Sequence, residues 1–151
     1  MIKVAIFDFD GTLRESTGPE DYPTEVNHVK AFVERKAKIL EYKKNGYILL
    51  GASNQSGIAK GKLTHDTAKA CFDETLKQIG VVFEETLYCC HKIPPLTCWC
   101  RKPNQGMMVE FFHKYKLDPK QCIFVGDMTS DKTCAIRSGM KFIHESVFFN
   151  N

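Results

Sequence analysis

Ile2-Lys3-Val4-Ala5-Ile6-Phe7, running straight into Asp8-Phe9-Asp10-Gly11-Thr12, decides the fold class. A short apolar, partly β-branched run that stops at acid and glycine is what a buried strand leaves in sequence. Downstream, Val26, Val29, Val33, Ala37 and Leu40 recur every three or four residues, with Lys43 and Lys44 in the last turn and Gly46 behind them. This predicts a helix over 26–45. Tyr47-Ile48-Leu49-Leu50 reads as the next strand, broken by Gly51, and Ser53 to Gly61 as a polar loop. A second helix is expected from Thr64 to Ile79, capped by Gly80, with Ala68, Phe72, Leu76 and Ile79 on one face. Val81 to Tyr88 supplies a third strand. A third helix carries Met107 or Met108, with Phe111, Phe112 and Tyr115, and ends before the turn Asp118-Pro119. Cys122-Ile123-Phe124-Val125 runs as a fourth strand into Gly126-Asp127. A short helix after Ser130 stops at Gly139, before a last strand over Lys141 to Ile143. Strands alternating with helices predict an α/β fold, a Rossmann-like parallel sheet flanked by helices, with ligands beyond the carboxyl ends of its strands.

The 151 residues suit a single domain over 1–151, 43% hydrophobic and 26% charged. No apolar run reaches the roughly 18 residues of a spanning helix, and Asp8 interrupts the N-terminal run before a signal-peptide core forms. A cytoplasmic protein, monomeric and without a membrane partner, is expected. A net charge of +3 without a concentrated basic tract permits a phosphorylated substrate and argues little for nucleic acid. Of seven cysteines, Cys71, Cys122 and Cys134 sit alone in apolar stretches and read as small core residues. Four crowd between Cys89 and Cys100, which suits a metal better than disulfides in a chain with no export signal.

In a parallel sheet the residues that follow each strand share one edge. Here they are Asp8 and Asp10, Ser53 with Asn54, and Asp127, while Arg101-Lys102 follows the third strand at a longer distance. Carboxylates pushed together stay ionised only beside a cation, and a hard, oxygen-loving ion such as Mg²⁺ meets that need. Lys102, Arg101, Ser53 and Asn54 would hold an anion next to it. Metal, anion clamp and a spare carboxylate together describe phosphoryl transfer.

Asp8-Phe9-Asp10-Gly11-Thr12, Ser53, Lys102 and Gly126-Asp127 with Asp131 resemble, in order, the four motifs of the haloacid dehalogenase superfamily of phosphatases. The resemblance spans nearly the whole chain. Ser53 to Gly61 and Cys100-Arg101-Lys102-Pro103 are similar to the capless subgroup that holds heptose bisphosphate and histidinol phosphatases. That resemblance implies Asp8 as nucleophile and Asp10 as general acid and base. It implies Mg²⁺ on Asp8, Asp127 and the main-chain carbonyl of Asp10, with Asp131 orienting a metal-bound water or its neighbours. Ser53, Asn54 and Lys102 become phosphate-binding and Arg101 substrate-binding, with Asn54 also facing the leaving group. The subgroup's Cys-x-His and Cys-x-Cys pairs imply structural Zn²⁺ on Cys89, His91, Cys98 and Cys100, in a loop over about 89–100, with Cys90 the alternative to Cys89.

Phe9 stands where the heptose and histidinol enzymes commonly have arginine, and Met128 where the heptose type has lysine. Phe9, Asn54 to Ile58 and Gly61 to Leu63 instead resemble polynucleotide 3′-phosphatases, which generally lack the zinc cluster. The four-ligand pattern beside Arg101-Lys102 carries more weight, so a small phosphorylated substrate is expected, a nucleic-acid end being the alternative. Only loops are expected between Thr12 and Val26 and between Ile58 and Thr64, leaving no cap domain. The loop from Arg14 to Tyr22 is expected to face the leaving alcohol.

Overall fold

The computed structural model describes residues 1–92 and 98–150. Residue 151 and the middle of the expected zinc loop, 93–97, lie outside them. Lys3–Phe7 forms β1, Tyr47–Asn54 β4, Glu85–Cys89 β5, Cys122–Gly126 β6 and Lys141–His144 β7, all parallel in the order β5-β4-β1-β6-β7. β1 is central, with Val4 paired to both Ile48 and Cys122, which is why Val4 to Phe7 are apolar on both faces. Ala5 and Phe7 point into one core with Ile39, Phe72, Ile79 and Phe148, while Val4 and Ile6 point into another with Met107, Met108, Phe111 and Cys134. The first core is roofed by α1 (Lys36–Lys44), α2 (His65–Ile79) and α5 (Glu145–Phe148), the second by α3 (Gly106–Tyr115) and α4 (Thr129–Arg137). This is the expected three-layer α/β fold. Cys71, Cys122 and Cys134 are buried thiols, as read. None of the helices is long and apolar enough to cross a membrane, among the described residues.

Four local expectations are corrected. The helix over 26–45 is not continuous: Val29–Ala31 is a strand, β3, antiparallel to β2 (Arg14–Ser16), and only Lys36–Lys44 is α-helical. Val29 and Ala31 are buried while Val26 and Val33 face solvent, so a two-residue alternation displaced the helical period. The segment after Thr12 is therefore a small hairpin rather than only a loop. Gly51 does not break its strand either, because an added Cβ there would lie 2.6 Å from the Phe9 ring and 2.7 Å from the Thr86 hydroxyl. The glycine permits close packing, and β4 runs on to carry Ser53 and Asn54 to the carboxyl edge of the sheet. The third strand begins at Glu85, with Val81 and Phe83 packing into the core as an irregular lead-in.

Candidate active site

Side-chain alternation at the end of β1 sets the site. Phe9 turns into the core, its ring 4.6 Å from that of Phe72, so its neighbours Asp8 and Asp10 face the opposite way. The Asp8 N–H donates to the Val125 carbonyl at 3.0 Å, which fixes the first acid against β6. Gly11 then turns the chain at a φ of +84°, so close to Asp127 that a Cβ would lie 2.1 Å from its carboxylate. Only glycine allows that approach.

Lys102 is the centre of the arrangement. It is buried, and its Nζ donates to Asp8 Oδ1 at 2.9 Å, to Asp131 Oδ1 at 2.7 Å and to the Ala52 carbonyl at 2.9 Å. Burial works against the ammonium, but Asp8 and Asp131 outweigh it and hold Lys102 above its ordinary range. The second oxygen of Asp131 accepts the N–H groups of Asp127 and Met128 at 3.2 and 3.1 Å, so this acid ties α4 to the strand ends. Burial pushes Asp8 well above the usual carboxylate range, against the pull of Lys102, and raises Asp127 as well.

Asp8, Asp127 and Asp131 each offer an oxygen within 4.8 Å of the others, and Asp127 Oδ1 is buried with no hydrogen-bond partner. An orphaned carboxylate oxygen among acids that burial resists ionising fits a hard divalent cation. Asp10 stands apart from that group. Its Oδ1 accepts from Arg14 Nε and its Oδ2 from Gln55 Nε2, both at 2.9 Å.

Sequence reasoning missed Gln55 and assigned Arg14 elsewhere. Gln55 is 2% exposed and its amide nitrogen also donates to Ser53 Oγ at 2.8 Å. Arg14, 1% exposed, reaches Thr75 Oγ1 at 3.1 Å and lies over the Phe9 and Phe72 rings, so its guanidinium is packed into the core. Asn54 is also differently employed. Its Nδ2 donates to the Lys102 carbonyl at 3.0 Å and its Oδ1 accepts the Lys102 N–H at 2.9 Å. The amide clamps the backbone of the lysine that meets Asp8.

These residues enclose a recess of about 190 Å³. Asp8, Asp10, Asp131 and Lys102 form its floor, while Asn54, Arg101, Met128 and Ser130 complete its lining. Arg101 Nη1 is buried there without a hydrogen-bond partner. Ser130 is a lining residue that the sequence had offered only as a helix start.

A second group lies behind Arg101. Cys89, at the end of β5, has its Sγ 3.4 Å from His91 Nδ1 and 3.6 Å from Cys98 Sγ, and Cys100 Sγ is 3.2 Å from His91 Nδ1. The four donor atoms all lie within 4.8 Å of one another, and three thiols plus an imidazole nitrogen of this kind suit one tetrahedral Zn²⁺. Cys89, not Cys90, is the member of this group. Burial raises the Cys89 thiol; for Cys98 it is outweighed by hydrogen bonds from Arg101 and the neighbouring donors, which bring that thiol down to about 7.

A parallel sheet of this order, with acids at the end of its central strand and a lysine brought over from beyond the third, is that of a haloacid dehalogenase-type phosphatase. The family described as polynucleotide kinase 3 phosphatase matches residues 3–149, and the chain belongs to it. It is 34% identical over 150 residues to the D-glycero-beta-D-manno-heptose-1,7-bisphosphate 7-phosphatase of Haemophilus influenzae, covering 93% of this chain and 79% of that one. A Thermoplasma volcanium protein described as a D-glycero-D-manno-heptose-1,7-bisphosphate 7-phosphatase is 34% identical over 131 residues, covering 83% and 86%. Among solved structures, the D,D-heptose 1,7-bisphosphate phosphatase of B. bronchiseptica, complexed with magnesium and phosphate, superposes with a TM-score of 0.82 at 27% identity. That match covers 93% of this chain and 79% of the other.

Proposed function

We propose that the protein is a Mg²⁺-dependent phosphomonoester hydrolase working through an aspartyl-phosphate on Asp8. Its substrate is a small phosphorylated metabolite, a sugar phosphate of the heptose type or histidinol phosphate. The observation that carries this reading is the Lys102 ammonium 2.9 Å from Asp8, in a recess that also holds Asp10 and the unpartnered Arg101 Nη1. Asp8, Asp127 and the main chain of Asp10 would hold Mg²⁺, which when bound neutralises carboxylates and phosphoryl oxygens alike.

Asp8 attacks phosphorus, the bond to the ester oxygen breaks, and Asp10 gives its proton to the departing alkoxide. Asp10 then takes a proton from the water that attacks the aspartyl-phosphate, and inorganic phosphate leaves with Asp8 restored. Lys102 and Ser53 hold phosphoryl oxygens as charge builds. Arg14 and Gln55 aim Asp10, whose two oxygens they occupy. Zn²⁺ on Cys89, His91, Cys98 and Cys100 has no chemical step; it fixes the segment that presents Arg101 and Lys102. The free thiols and this soft-donor site suit a reducing, cytoplasmic setting.

The family's description favours a second reading, removal of a 3′-phosphate from a polynucleotide end. Phosphate release from sugar phosphates, histidinol phosphate and a 3′-phosphorylated oligonucleotide, with Mg²⁺ present, separates the two. The sugar or histidinol ester should give the highest kcat/KM with a shallow salt dependence, and Asp8→Asn should release nothing. An oligonucleotide that outcompetes the small esters, with activity falling steeply in salt, selects the second reading. A fully active Asp8→Asn protein sinks both.

A further inference from the structure

We infer that the recess selects a phosphomonoester whose leaving alcohol carries no second phosphate, so that a monophosphate is preferred to a bisphosphate. The inference rests on the phosphatase reading and narrows its substrate class. It departs from the relatives, whose names specify a bisphosphate.

Charge accounting inside the recess carries the argument. Its lining holds two cations, Lys102 and Arg101. Lys102 is committed to Asp8 and Asp131 at 2.9 and 2.7 Å. Arg101 is the other lining cation, and its Nη1 is buried without a hydrogen-bond partner. A phosphoryl dianion docked against Asp8 and any second phosphate on the same substrate would then have only that one uncommitted lining cation between them. At the rim the lining side chains are Met128, 59% exposed, and the hydroxyl of Ser130. A thioether and a hydroxyl suit the C–H face and hydroxyl groups of a polyol, whereas an anion there would exchange water for methionine and lie near the carboxylate of Asp10. The size agrees: about 190 Å³ is below the ~300–1,000 Å³ of sites that engulf a whole drug-sized ligand, so only the reacting end is enclosed and the leaving group meets the rim.

Calorimetric titration of Asp8→Asn protein, loaded with Zn²⁺ and Mg²⁺, with a hexose 6-phosphate and with the same hexose's 1,6-bisphosphate tests this without turnover. The bisphosphate should bind no more tightly than the monophosphate at low salt. Adding Met128→Lys should improve the bisphosphate about fivefold more than the monophosphate, the size of one charge contact in a water-like dielectric. Bisphosphate binding that is tenfold the tighter with Met128 in place overturns the inference. So does an equal gain for both ligands in the Met128→Lys protein, or binding of inorganic phosphate without either sugar ester. Turnover of an aryl phosphate by the unsubstituted enzyme is measured alongside. No turnover there defeats the phosphatase reading itself, while the two affinities still decide which ester the recess accepts.

Discussion

Asn54→Ala separates a residue that binds substrate from one that holds the residue that does. Both polar ends of the Asn54 amide are engaged with the Lys102 backbone, at 2.9 and 3.0 Å, across 48 positions of sequence. Lys102 is 3% exposed, so water replaces those partners poorly. At about 1 kcal/mol for each hydrogen bond, truncation should cost about 2 kcal/mol. For a chain of this size that lowers Tm by about 4–8 °C. The loss of the clamp also frees the Lys102 Nζ to drift from Asp8, so kcat on an aryl phosphate should fall while KM changes little. Asn54→Asp keeps the acceptor for the Lys102 N–H but sets a second acceptor against the Lys102 carbonyl, and should be as damaging. Thermal unfolding with both metals present, followed by steady-state kinetics, reads both effects. A Tm within about 1 °C of the parent together with a tenfold rise in KM would refute the clamp and return Asn54 to the substrate.

Cys98→Ser should lose the zinc measured by metal analysis and lower Tm and activity together, because the segment carrying Arg101 and Lys102 loses its anchor; retained zinc at one per chain refutes the cluster. Arg14→Met removes the partner of Asp10 Oδ1 while keeping packing against Phe9 and Phe72, so kcat should fall about tenfold or more with KM little changed, whereas a merely structural arginine would lower Tm and leave kcat of the folded protein unmoved. Glu85 accepts from Tyr115 Oη and Lys114 Nζ, which outweigh its partial burial and hold its carboxyl below the ordinary range. A depressed folded pKa gives stability that is present above the unfolded value and lost as pH falls through the folded one. Tyr115→Phe should therefore cost about 1 kcal/mol in urea unfolding at pH 7 and much less at pH 3; an equal cost at both refutes the charge-assisted bond.

The legible part of this protein was the part in which one residue type serves one purpose. A strand buried on both faces must be apolar where it is buried, so Val4 to Phe7 and Cys122 to Val125 could be read directly. The acids that follow them stand out because nothing apolar would leave them there. Val29 and Val33 show the opposite case, since valines spaced four apart satisfy a helix on paper while the chain uses Val29 and Ala31 to close a hairpin with Arg14–Ser16. That pairing is a contact between segments, and no local period encodes it. Gly51 misled for a related reason: its smallness answers Phe9 and Thr86 in space, not its own strand.

The same distinction runs through the site. Which carboxylates stand at the strand ends follows from chain order, and Asp8, Asp10 and Asp127 could be named from it. What aims them does not. Asp10 is held by Gln55 from another strand end and by an arginine that α2 supports through Thr75, and Lys102 reaches Asp8 from 94 positions away. A buried arginine reads in sequence as a surface charge, because the reason for burying it lies in partners that only the fold supplies. Arg14 is kept at 1% exposure between Asp10 and the Phe9 and Phe72 rings, so it belongs to the core and to the catalytic edge at once. Phe9 makes the same connection from the other side. Its ring anchors the turn in the core, and that anchoring is what leaves the acids on either side of it facing the recess.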